Sequence, residues 1–468
     1  MTTTIIIGKR IAITGLAEDE ASAWAALARQ YNPVKAKLAR LKKYHDHLDE
    51  FIYLGYVRPT TTGPMVLLPR GMLQKVWDTY GDDATWDVRV STGAEVNVVV
   101  GGTPVDLRDY QAKALLPWMP GTWALPRLPV DGIIHAPCGS GKTEMGIALI
   151  QALGVRTMVV VHTVDLQQQW AERLAKYGVT SHLIGGGSKN ARIVGEEPVT
   201  IGMVQSLYRR PEELDANAGK FGLMLVDEAD MAPAKTVSDV IERLRTGARV
   251  GLTATPTRED GLQPSLEMLM GPIRSVVTGG DLEACGVRVS FTVECIKTGW
   301  APTEDPAAGF VAAMSEMIVD EDRNRLIVET IKAKIAEGHT VLALSQRVDH
   351  AKLLAEMLGC DALVSTTKAS KRAGILDDLR NGHIDCATAT QLADKGLDAP
   401  TISCVVMCTP SRAKGRTEQR AGRALRPVKG KLRPVIVDFL DDHGLYVSQW
   451  RSRLTAYKQA GMTSSWGT

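Results

Sequence analysis

The sequence lacks the features of a secreted, membrane-bound or zinc-stabilised protein. Its seven cysteines are scattered along 468 residues, without a CxxC pair or a Cys/His cluster at zinc spacing. This pattern excludes a disulfide framework and favours a reduced protein without structural metal. The N-terminal apolar run, Ile5-Ile6-Ile7, is too short for a signal peptide or a membrane span. We therefore expect a cytoplasmic protein that has no membrane partner.

The sequence also has no large net charge, no short repeats and no low-complexity segments. The formal net charge is only +2, so the position of the charges matters more than their sum. At roughly 150 residues per domain, the length predicts about three domains. We predict boundaries at 1–103, 104–280 and 281–468.

Two long stretches show short apolar runs that alternate with helical segments. Near-continuous apolar strands of this kind predict parallel sheets covered by helices on both faces. The first hundred residues differ, with a hairpin predicted at 5–13, a helix at 18–30, strands at 51–54 and 65–68, and a turn at 69–71. The sequence predicts an α/β protein with two parallel-sheet lobes in tandem and a small N-terminal α+β domain.

A basic segment spans residues 29–43 of the N-terminal domain, and Tyr31 and Tyr44 lie near its two ends. No acidic residue interrupts its six cations, which are Arg29, Lys35, Lys37, Arg40, Lys42 and Lys43. Such a run predicts a surface for a nucleic-acid backbone, with Lys37, Arg40 and Lys43 as candidate contacts. A solvated basic helix face explains the same pattern equally well.

A glycine-rich phosphate loop of the Walker A type occupies residues 136–143. An apolar run precedes it and a helical segment follows it, which is the context that this motif requires. Gly139 and Gly141 would turn backbone N–H groups toward phosphates, Lys142 would reach the β- and γ-phosphates, and Thr143 would bind Mg²⁺. The loop departs from the usual pattern at Ala136. The predicted nucleotide-binding residues here are Pro137, Cys138, Gly139, Ser140, Gly141, Lys142 and Thr143.

An acidic pair, Asp227-Glu228, follows the apolar run 223–226. Asp227 would hold Mg²⁺ together with Thr143, and Glu228 would activate the attacking water. The alternative is an acidic N-cap, which is common for an isolated Asp-Glu pair. Because parallel strands end at one edge of a sheet, we expect the phosphate loop, Asp227-Glu228 and residues 253–255 to converge there.

An arginine-rich string, 419–426, stands out in the second half. Arg420, Arg423 and Arg426 recur every three residues, so a helix would present them on one side. Planar guanidinium groups suit charge on a transferring phosphoryl group. A solvated basic face is the alternative.

In this order, the motifs resemble those of superfamily 2 helicases. Beyond the phosphate loop, the acidic pair and the arginine string, the resemblance extends over about 105–440. The matching segments are 107–111 (Q motif), 162–170 (Ia), 205–207 (Ib), 253–256 (III), 344–347 (IV) and 396–400 (V). Motif V departs from the pattern because Lys395 stands where an acid is common.

The branch of the superfamily is also indicated. Asp-Glu-Ala-Asp at 227–230 resembles DEAD-box RNA helicases, but Thr253 and Gln419 replace the Ser and His typical of that group. Residues 251–260, with Arg258-Glu259-Asp260, are instead similar to the XPB-like group. The N-terminal segments 32–33, 51–52 and 68–71 resemble the substrate-recognition domain of phage UvsW-type helicases.

The resemblance implies two RecA-like lobes that close on ATP, and a role for each matching residue. Arg108 and Gln111 would recognise adenine, Asp398 would lie near the ribose, and Gln419, Arg423 and Arg426 would complete catalysis, the last two as arginine fingers. The residues implied to contact nucleic acid are Thr163, Gln205, Ser206 and Arg258. Related enzymes move 3′ to 5′ along one strand.

The hypothesis that follows is an ATP- and Mg²⁺-dependent DNA helicase or translocase, active as a monomer on branched or forked duplexes and on a single-stranded tracking strand. It would serve repair, recombination or replication, in the host cytoplasm if a phage encodes it. The alternatives are the motor subunit of a restriction or defence complex and an RNA helicase. A non-catalytic ATP-gated clamp is less favoured because Lys142, Glu228, Arg423 and Arg426 are all present.

Overall fold

A computed structural model describes residues 2–40, 44, 46–91, 103–119, 128–137, 139–187, 192–254, 261–287, 291–303, 306–390, 401–410, 432–459 and 462. The chain divides into two compact units. Unit 1 comprises Met1–Ala136 and Gly141–Val277, and unit 2 comprises Pro137–Ser140 and Thr278–Thr468. Within the described part of the chain, no helix combines the length and hydropathy needed to cross a membrane.

Unit 1 begins with an N-terminal subdomain, 4–88, built on a five-stranded sheet of order β5-β6-β2-β1-β7. Its elements are β1 (Thr4–Ile7), β2 (Ile11–Thr14), α1 (Glu18–Leu27), β3 (Arg29–Tyr31), α2 (Pro33–Arg40), β4 (Phe51–Tyr53), β5 (Tyr56–Thr60), β6 (Gly63–Leu68), α3 (Leu73–Tyr80) and β7 (Thr85–Val88). The predicted hairpin is confirmed, since β1 pairs antiparallel with β2. Alternate isoleucines of both strands are fully buried, as period-two alternation requires.

The predicted helix over 18–30 is wrong at its C-terminal end. Helix α1 stops at Leu27, and the next residues form β3, which pairs antiparallel with β4. Together they make a separate two-stranded ribbon. Tertiary pairing overrides helix propensity here, because Gln30 in this strand is buried against the second part of unit 1.

The second part of unit 1, called lobe 1 here, is a seven-stranded sheet of order β10-β11-β9-β12-β13-β8-β14, parallel in all its pairings. Its elements are α4 (Asp109–Leu115), β8 (Val130–His135), α5 (Lys142–Leu153), β9 (Thr157–Val161), α6 (Val164–Lys176), β10 (Ser181–Ile184), β11 (Val199–Met203), α7 (Val204–Tyr208), α8 (Pro211–Ala216), β12 (Leu223–Asp227), α9 (Lys235–Ile241), β13 (Ala248–Thr253), α10 (Gln263–Met270) and β14 (Ile273–Val276). Strands β9, β11, β12 and β13 are buried along their whole length, as a sheet covered on both faces requires.

The N-terminal subdomain docks on lobe 1 through the segment that the sequence predicted as a turn. Arg70 is 1% exposed and donates from its Nε to Asp131 on β8 at 2.6 Å. Its Nη1 donates to the carbonyl of Thr246 at 2.5 Å. A Cβ on Gly71 would lie 2.3 Å from the carbonyl oxygen of Glu267 in α10, so only glycine allows this approach. Segment 68–71 is therefore a docking element.

A second buried arginine extends this contact. Burial of Arg249 on β13, together with the neighbouring positive charge of Arg70, lowers the pKa of its guanidinium to about 9. Its Nη2 donates to the carbonyls of Leu244 at 2.9 Å and Lys9 at 3.1 Å. Arg10 adds an ion pair with Glu242 at 2.9 Å. Removing one partner from a buried pair such as Arg70–Asp131 costs about 3–5 kcal/mol, so this contact fixes the subdomain on lobe 1.

Unit 2 contains a six-stranded sheet, called lobe 2 here, of order β15-β20-β19-β16-β18-β17. Its elements are α11 (Gly279–Ala284), β15 (Thr292–Lys297), α12 (Pro306–Met317), α13 (Glu321–Ala336), β16 (Val341–Leu344), α14 (Val348–Leu358), β17 (Asp361–Leu363), α15 (Ala369–Asn381), β18 (Cys386–Ala389), β19 (Cys404–Met407), β20 (Val435–Leu440) and α16 (Gly444–Gln459). All its strand pairs are parallel, so the predicted alternation of helix and strand is confirmed in both lobes.

Candidate active site

The phosphate loop connects β8 to α5, as the sequence predicted. Gly139 has φ +81° and Gly141 has φ +78°, both in the left-handed region that favours glycine. A Cβ on Gly139 would meet nothing within 4 Å, whereas one on Gly141 would lie 2.3 Å from Nε2 of Gln111. Conformation alone therefore requires glycine at 139, and both conformation and space require it at 141. Cys138, within the loop, lies outside the described residues.

Lys142 is the first residue of α5, a helix of 12 residues. Its ammonium Nζ donates to the carbonyl of Ala136 at 3.2 Å, so the side chain folds back along the loop. Thr143 follows in the first turn and is half-buried. The first turn of a helix offers free N–H groups and a partial positive charge, which suit an anion such as a phosphate.

Gln111 lies beside this loop in the first turn of α4. The side chain is 2% exposed, and its Oε1 accepts the backbone N–H of Arg108 at 2.9 Å. This bond fixes the amide, whose Nε2 then faces the backbone at Gly141. Arg108 itself is exposed to solvent. The sequence singled out both residues, and the fold brings Gln111 to the phosphate loop.

Asp227 is the last residue of β12 and is 8% exposed. One carboxylate oxygen accepts the indole N–H of Trp170 at 2.8 Å, and the other accepts the backbone N–H of Glu228 at 2.9 Å. Both bonds fix the orientation of the carboxylate. Glu228 has φ +51° and ψ +55°, and it is the one non-glycine residue with positive φ in the described ranges. A left-handed conformation costs such a residue roughly 1–2 kcal/mol.

Strand register aligns these motifs. Asp227 pairs with Leu252 of β13, which pairs with Ile134 of β8. Since neighbouring strands lie about 4.8 Å apart, the ends of β12 and β8 are about 10 Å apart across β13. This spacing leaves room for a phosphate group and a cation, and the predicted convergence at one edge holds for residues up to Ala254. Thr255 lies outside the described residues.

Two contacts join the end of β13 to its neighbours. The hydroxyl of Thr253 and Oδ1 of Asp230 are 3.4 Å apart, and Nε2 of His135 is 3.1 Å from the carbonyl of Ala254. Burial lowers the pKa of His135, and the nearby Lys142 charge lowers it further. The ring is therefore neutral at pH 7 and donates its Nε2 proton to Ala254. The strands that carry the three motifs are thereby linked by side chains as well as by the sheet.

Two protein-family models match the chain, the first at 104–258 (type III restriction enzyme, res subunit) and the second at 322–428 (helicase conserved C-terminal domain). A DNA 3′-5′ helicase XPB of Mycobacterium tuberculosis is 29% identical over an alignment of 339 residues that covers 69% of this chain and 58% of that relative. A DNA 3′-5′ translocase XPB2 of Sulfurisphaera tokodaii is 26% identical over an alignment of 363 residues that covers 69% of this chain and 79% of that relative. The chain belongs to the XPB-like superfamily 2 helicases.

The fold agrees with this assignment. The structure of S. cerevisiae Dbp5 bound to RNA and ADP BeF3 has a TM-score of 0.54 and 16% identity, over 78% of this chain and 90% of that chain. The two parallel sheets are therefore RecA-like lobes, and the predicted fold class and enzyme family are confirmed.

The residues of this helicase that were predicted to contact the nucleic-acid strand lie at the same edge of lobe 1. Thr163 caps α6, where its hydroxyl accepts the N–H of Leu166 at 3.3 Å. Gln205 and Ser206 lie in α7, directly after β11, and Gln205 is exposed. Because β9 and β11 are neighbours, the three residues follow adjacent strands.

One part of this edge, Gly185-Gly186-Gly187 after β10, was not predicted from the sequence. All three have positive φ, at +87°, +63° and +90°. A Cβ on Gly185 would lie 2.3 Å from the Ser206 hydroxyl, and one on Gly186 would lie 2.2 Å from Oε1 of Gln167. Three consecutive glycines were the available signal. Packing against the residues of motifs Ia and Ib explains why two of them are glycine.

The remaining predicted site residues are not covered. Lys37 and Arg40 belong to α2, whose backbone alone is described at these two positions. The predicted residues that lie outside the described residues are Lys43, Cys138, Arg258, Asp398, Gln419, Arg423 and Arg426.

Proposed function

We propose that this helicase hydrolyses ATP to move along DNA and to separate or remodel branched and forked duplexes. The observation that carries the proposal is the shared edge of lobe 1. There the left-handed glycines of the phosphate loop follow one strand of the sheet, and the fixed carboxylate of Asp227 lies at the end of another. The chain spans 58% of one XPB relative and 79% of another, so the activity of the whole protein is part of the proposal.

The residues fit ATP and Mg²⁺. Hydroxyl and carboxylate oxygens, here from Thr143 and Asp227, are the ligands that Mg²⁺ prefers. Mg²⁺ bound there would neutralise charge on the β- and γ-phosphates. Lys142 would hold the phosphates, Glu228 would take the proton of the attacking water, and Gln111 would recognise adenine with Arg108. The loop backbone, from Pro137 to Gly141, would bind the phosphates through its N–H groups.

The roles of four further residues rest on the family resemblance. Asp398 would contact the ribose, and Gln419, Arg423 and Arg426 would stabilise the transferring phosphoryl group. Planar guanidinium groups suit that task because they stay charged and donate several hydrogen bonds.

The tracking strand would contact Thr163, Gln205 and Ser206 on lobe 1, with Arg258 further along. Hydroxyl and amide groups of this kind position a sugar–phosphate backbone without reading the bases. The names of both XPB relatives state 3′-5′ polarity, and we propose the same polarity here. Lys37, Arg40 and Lys43 would add backbone contacts from the N-terminal subdomain. The helicase would act as a cytoplasmic monomer in repair, recombination or replication.

The first test compares Lys142→Ala and Glu228→Gln with wild type. Each change should lower DNA-stimulated ATP turnover by about 100-fold or more, since the first removes a phosphate contact and the second a general base. Lys235→Ala is the matched control, because this lysine is 82% exposed on lobe 1 and pairs only at the surface with Asp239. Turnover is measured with forked DNA, a four-way junction, plain duplex and RNA.

Near-normal turnover in Lys142→Ala and Glu228→Gln would contradict the enzyme proposal. Stimulation by RNA alone would contradict the choice of DNA. Strand separation that is equal on plain duplex and on forks would remove the preference for branched substrates.

One observation favours a second candidate, the motor subunit of a restriction or defence complex. The family model that matches 104–258 is described as the res subunit of a type III restriction enzyme. A motor subunit that only translocates would show ATP turnover on long linear duplex without strand separation.

A further inference from the structure

The ribbon of β3 and β4 carries aromatic rings on one face. Side chains alternate along a strand, and directly paired residues share a face. Arg29 pairs with Tyr53 and Tyr31 pairs with Phe51, so these four side chains form one surface, called the aromatic face here. Tyr31 is 52% exposed and Tyr53 is 59% exposed.

The rings of this face contact one another and a cation. The centroids of Tyr31 and Phe51 are 5.8 Å apart with the planes nearly perpendicular, and those of Phe51 and Tyr53 are 6.3 Å apart. The guanidinium carbon of Arg29 lies 4.5 Å from the Phe51 centroid. These contacts hold the rings in place while large parts of Tyr31 and Tyr53 stay in solvent.

The opposite face of the ribbon is fixed on lobe 1. Gln30 is 8% exposed, and its Oε1 accepts the backbone N–H of Ser265 at 2.9 Å and also the Ser265 hydroxyl. Its Nε2 donates to the carbonyl of Gly261. Both partners lie at the start of α10 in the lobe that holds the phosphate loop. The ribbon that carries the aromatic face is therefore anchored to lobe 1.

A buried asparagine joins the ribbon to α2. Oδ1 of Asn32 accepts the backbone N–H groups of Val34 at 3.1 Å and Lys35 at 3.3 Å. Its Nδ2 donates to the carbonyl of Asp49 at 3.0 Å, just before β4. The uninterrupted basic run of the sequence, 29–43, thus begins on the aromatic face and continues into α2.

We propose that the aromatic face stacks unpaired DNA bases where a duplex opens, while Arg29 and Lys35 beside it contact the backbone. Base–aromatic stacking and neighbouring cations are the two parts of a single-strand binding surface. The inference rests on the proposed function, because it gives the DNA motor of lobe 1 a fixed surface for bases. The exposed parts of Tyr31 and Tyr53 lie on one face, and clustered exposed apolar surface of this kind marks an interaction site.

The test measures binding of the full chain to two forks, one with normal bases at the junction and one with abasic sites there. Tyr31→Ala and Tyr53→Ala should each weaken binding to the normal fork by about tenfold, the typical loss for one stacked base. Wild type should lose a similar factor on the abasic fork, and the variants should lose little further. Tyr31→Phe and Tyr53→Phe should restore binding, because the ring stacks without its hydroxyl.

The matched control is Tyr56→Ala. Tyr56 is 50% exposed in the same subdomain, but it lies on β5 in the other sheet. Its removal should leave both affinities unchanged. Equal losses on normal and abasic forks for Tyr31→Ala would overturn the stacking proposal and indicate a structural role or another partner.

The result also separates this proposal from the proposed function. Full affinity in Tyr31→Ala and Tyr53→Ala, with DNA-stimulated ATP turnover in wild type, overturns the aromatic face and leaves the helicase intact. Absence of any DNA stimulation in wild type overturns both.

Discussion

Lobes 1 and 2 share a parallel sheet between helices, but their strands end differently. In lobe 1, left-handed backbone follows three strands, at Gly139 and Gly141 after β8, at 185–187 after β10 and at Glu228 after β12. In the described part of lobe 2, Gly338, Gly359 and Gly382 instead end helices. Only Gly299, after edge strand β15, follows a strand there.

In lobe 2, the end of β16 is closed by buried side chains. After β16, the Ser345 hydroxyl accepts the N–H of Arg347 at 3.1 Å and donates to Nδ1 of His350 at 3.0 Å. Nε2 of His350 donates to Oδ1 of Asn324 at 2.9 Å, and Nδ2 of Asn324 donates to the carbonyl of Ile318 at 2.9 Å. In this hydrogen-bonded network, each polar side-chain group has at least one partner.

The comparison shows that one architecture serves two purposes. Lobe 1 keeps strained backbone and backbone N–H groups at its strand ends, which is the arrangement that anion binding needs. Lobe 2 uses the same positions for buried hydrogen bonds and ion pairs, which fix one conformation. Changes at equivalent positions should therefore affect activity in lobe 1 and stability in lobe 2.

The largest contrast is expected between two aspartates at strand ends, Asp227 as the last residue of β12 and Asp441 directly after β20. Asp441 is fully buried and accepts the Arg323 guanidinium at 2.7 and 3.1 Å. Asp441→Asn should lower the free energy of unfolding by about 3–5 kcal/mol, because it leaves a buried guanidinium without its counter-charge. Asp227→Asn should cost only about 1–2 kcal/mol, since one of its two hydrogen bonds from neutral N–H donors persists and the other is lost where the amide NH2 replaces a carboxylate oxygen.

Activity should show the reverse order. Asp227→Asn should lower ATP turnover by about 100-fold or more if the residue holds Mg²⁺. Urea unfolding and steady-state ATP turnover of both variants check the pair of predictions. Equal destabilisation by the two changes would mean that the lobes do not divide stability and chemistry in this way.

A smaller effect is expected from pH in lobe 2. Burial, with the Arg323 charge as a second cause, lowers the pKa of His350 to about 3. The folded protein therefore keeps His350 neutral, whereas the unfolded chain binds a proton below about pH 6.5. Stability is lost as pH falls from about 6.5 toward 3. Between pH 7 and pH 5 the loss attributable to His350 should be about 2 kcal/mol.

His350→Gln isolates this contribution, because glutamine keeps polar atoms but does not titrate. The change in unfolding free energy between pH 7 and pH 5 should be about 2 kcal/mol smaller in the variant than in wild type. Identical pH dependence in the two proteins would mean that the pKa of His350 is the same in the folded protein and in the unfolded chain.

Strand and site positions were predictable where the sequence pattern was local. Continuous apolar runs located β8, β9, β11, β12 and β13, because strands buried on both faces contain little else. The runs failed at β10, β14 and β15, where Ser181-His182 and Arg274-Ser275 interrupt the apolar pattern. Edge strands are covered on fewer sides, so they tolerate polar residues that hide them from such a search.

Long-range contacts were the part that the sequence could not predict. The motif 68–71 was visible, but its role depends on Asp131, 61 positions away along the chain. Strand β3 likewise forms because Gln30 meets Ser265, 235 positions away, where local propensity favours continuing α1. Glu228 was identified as a candidate base, but its left-handed backbone has no sequence signature.

That left-handed backbone gives the smallest expected effect. Glu228→Ala and Glu228→Gly both remove the carboxylate, so their difference reports on the backbone alone. The glycine variant should be more stable by about 0.5–1 kcal/mol, because relief of the left-handed strain exceeds the extra entropy of its unfolded chain.

Urea unfolding of the two Glu228 variants measures this difference in the free energy of unfolding. A glycine variant that is no more stable than the alanine variant would show that the end of β12 stores no strain, and the distinction between the strand ends of the two lobes would then rest on side chains alone.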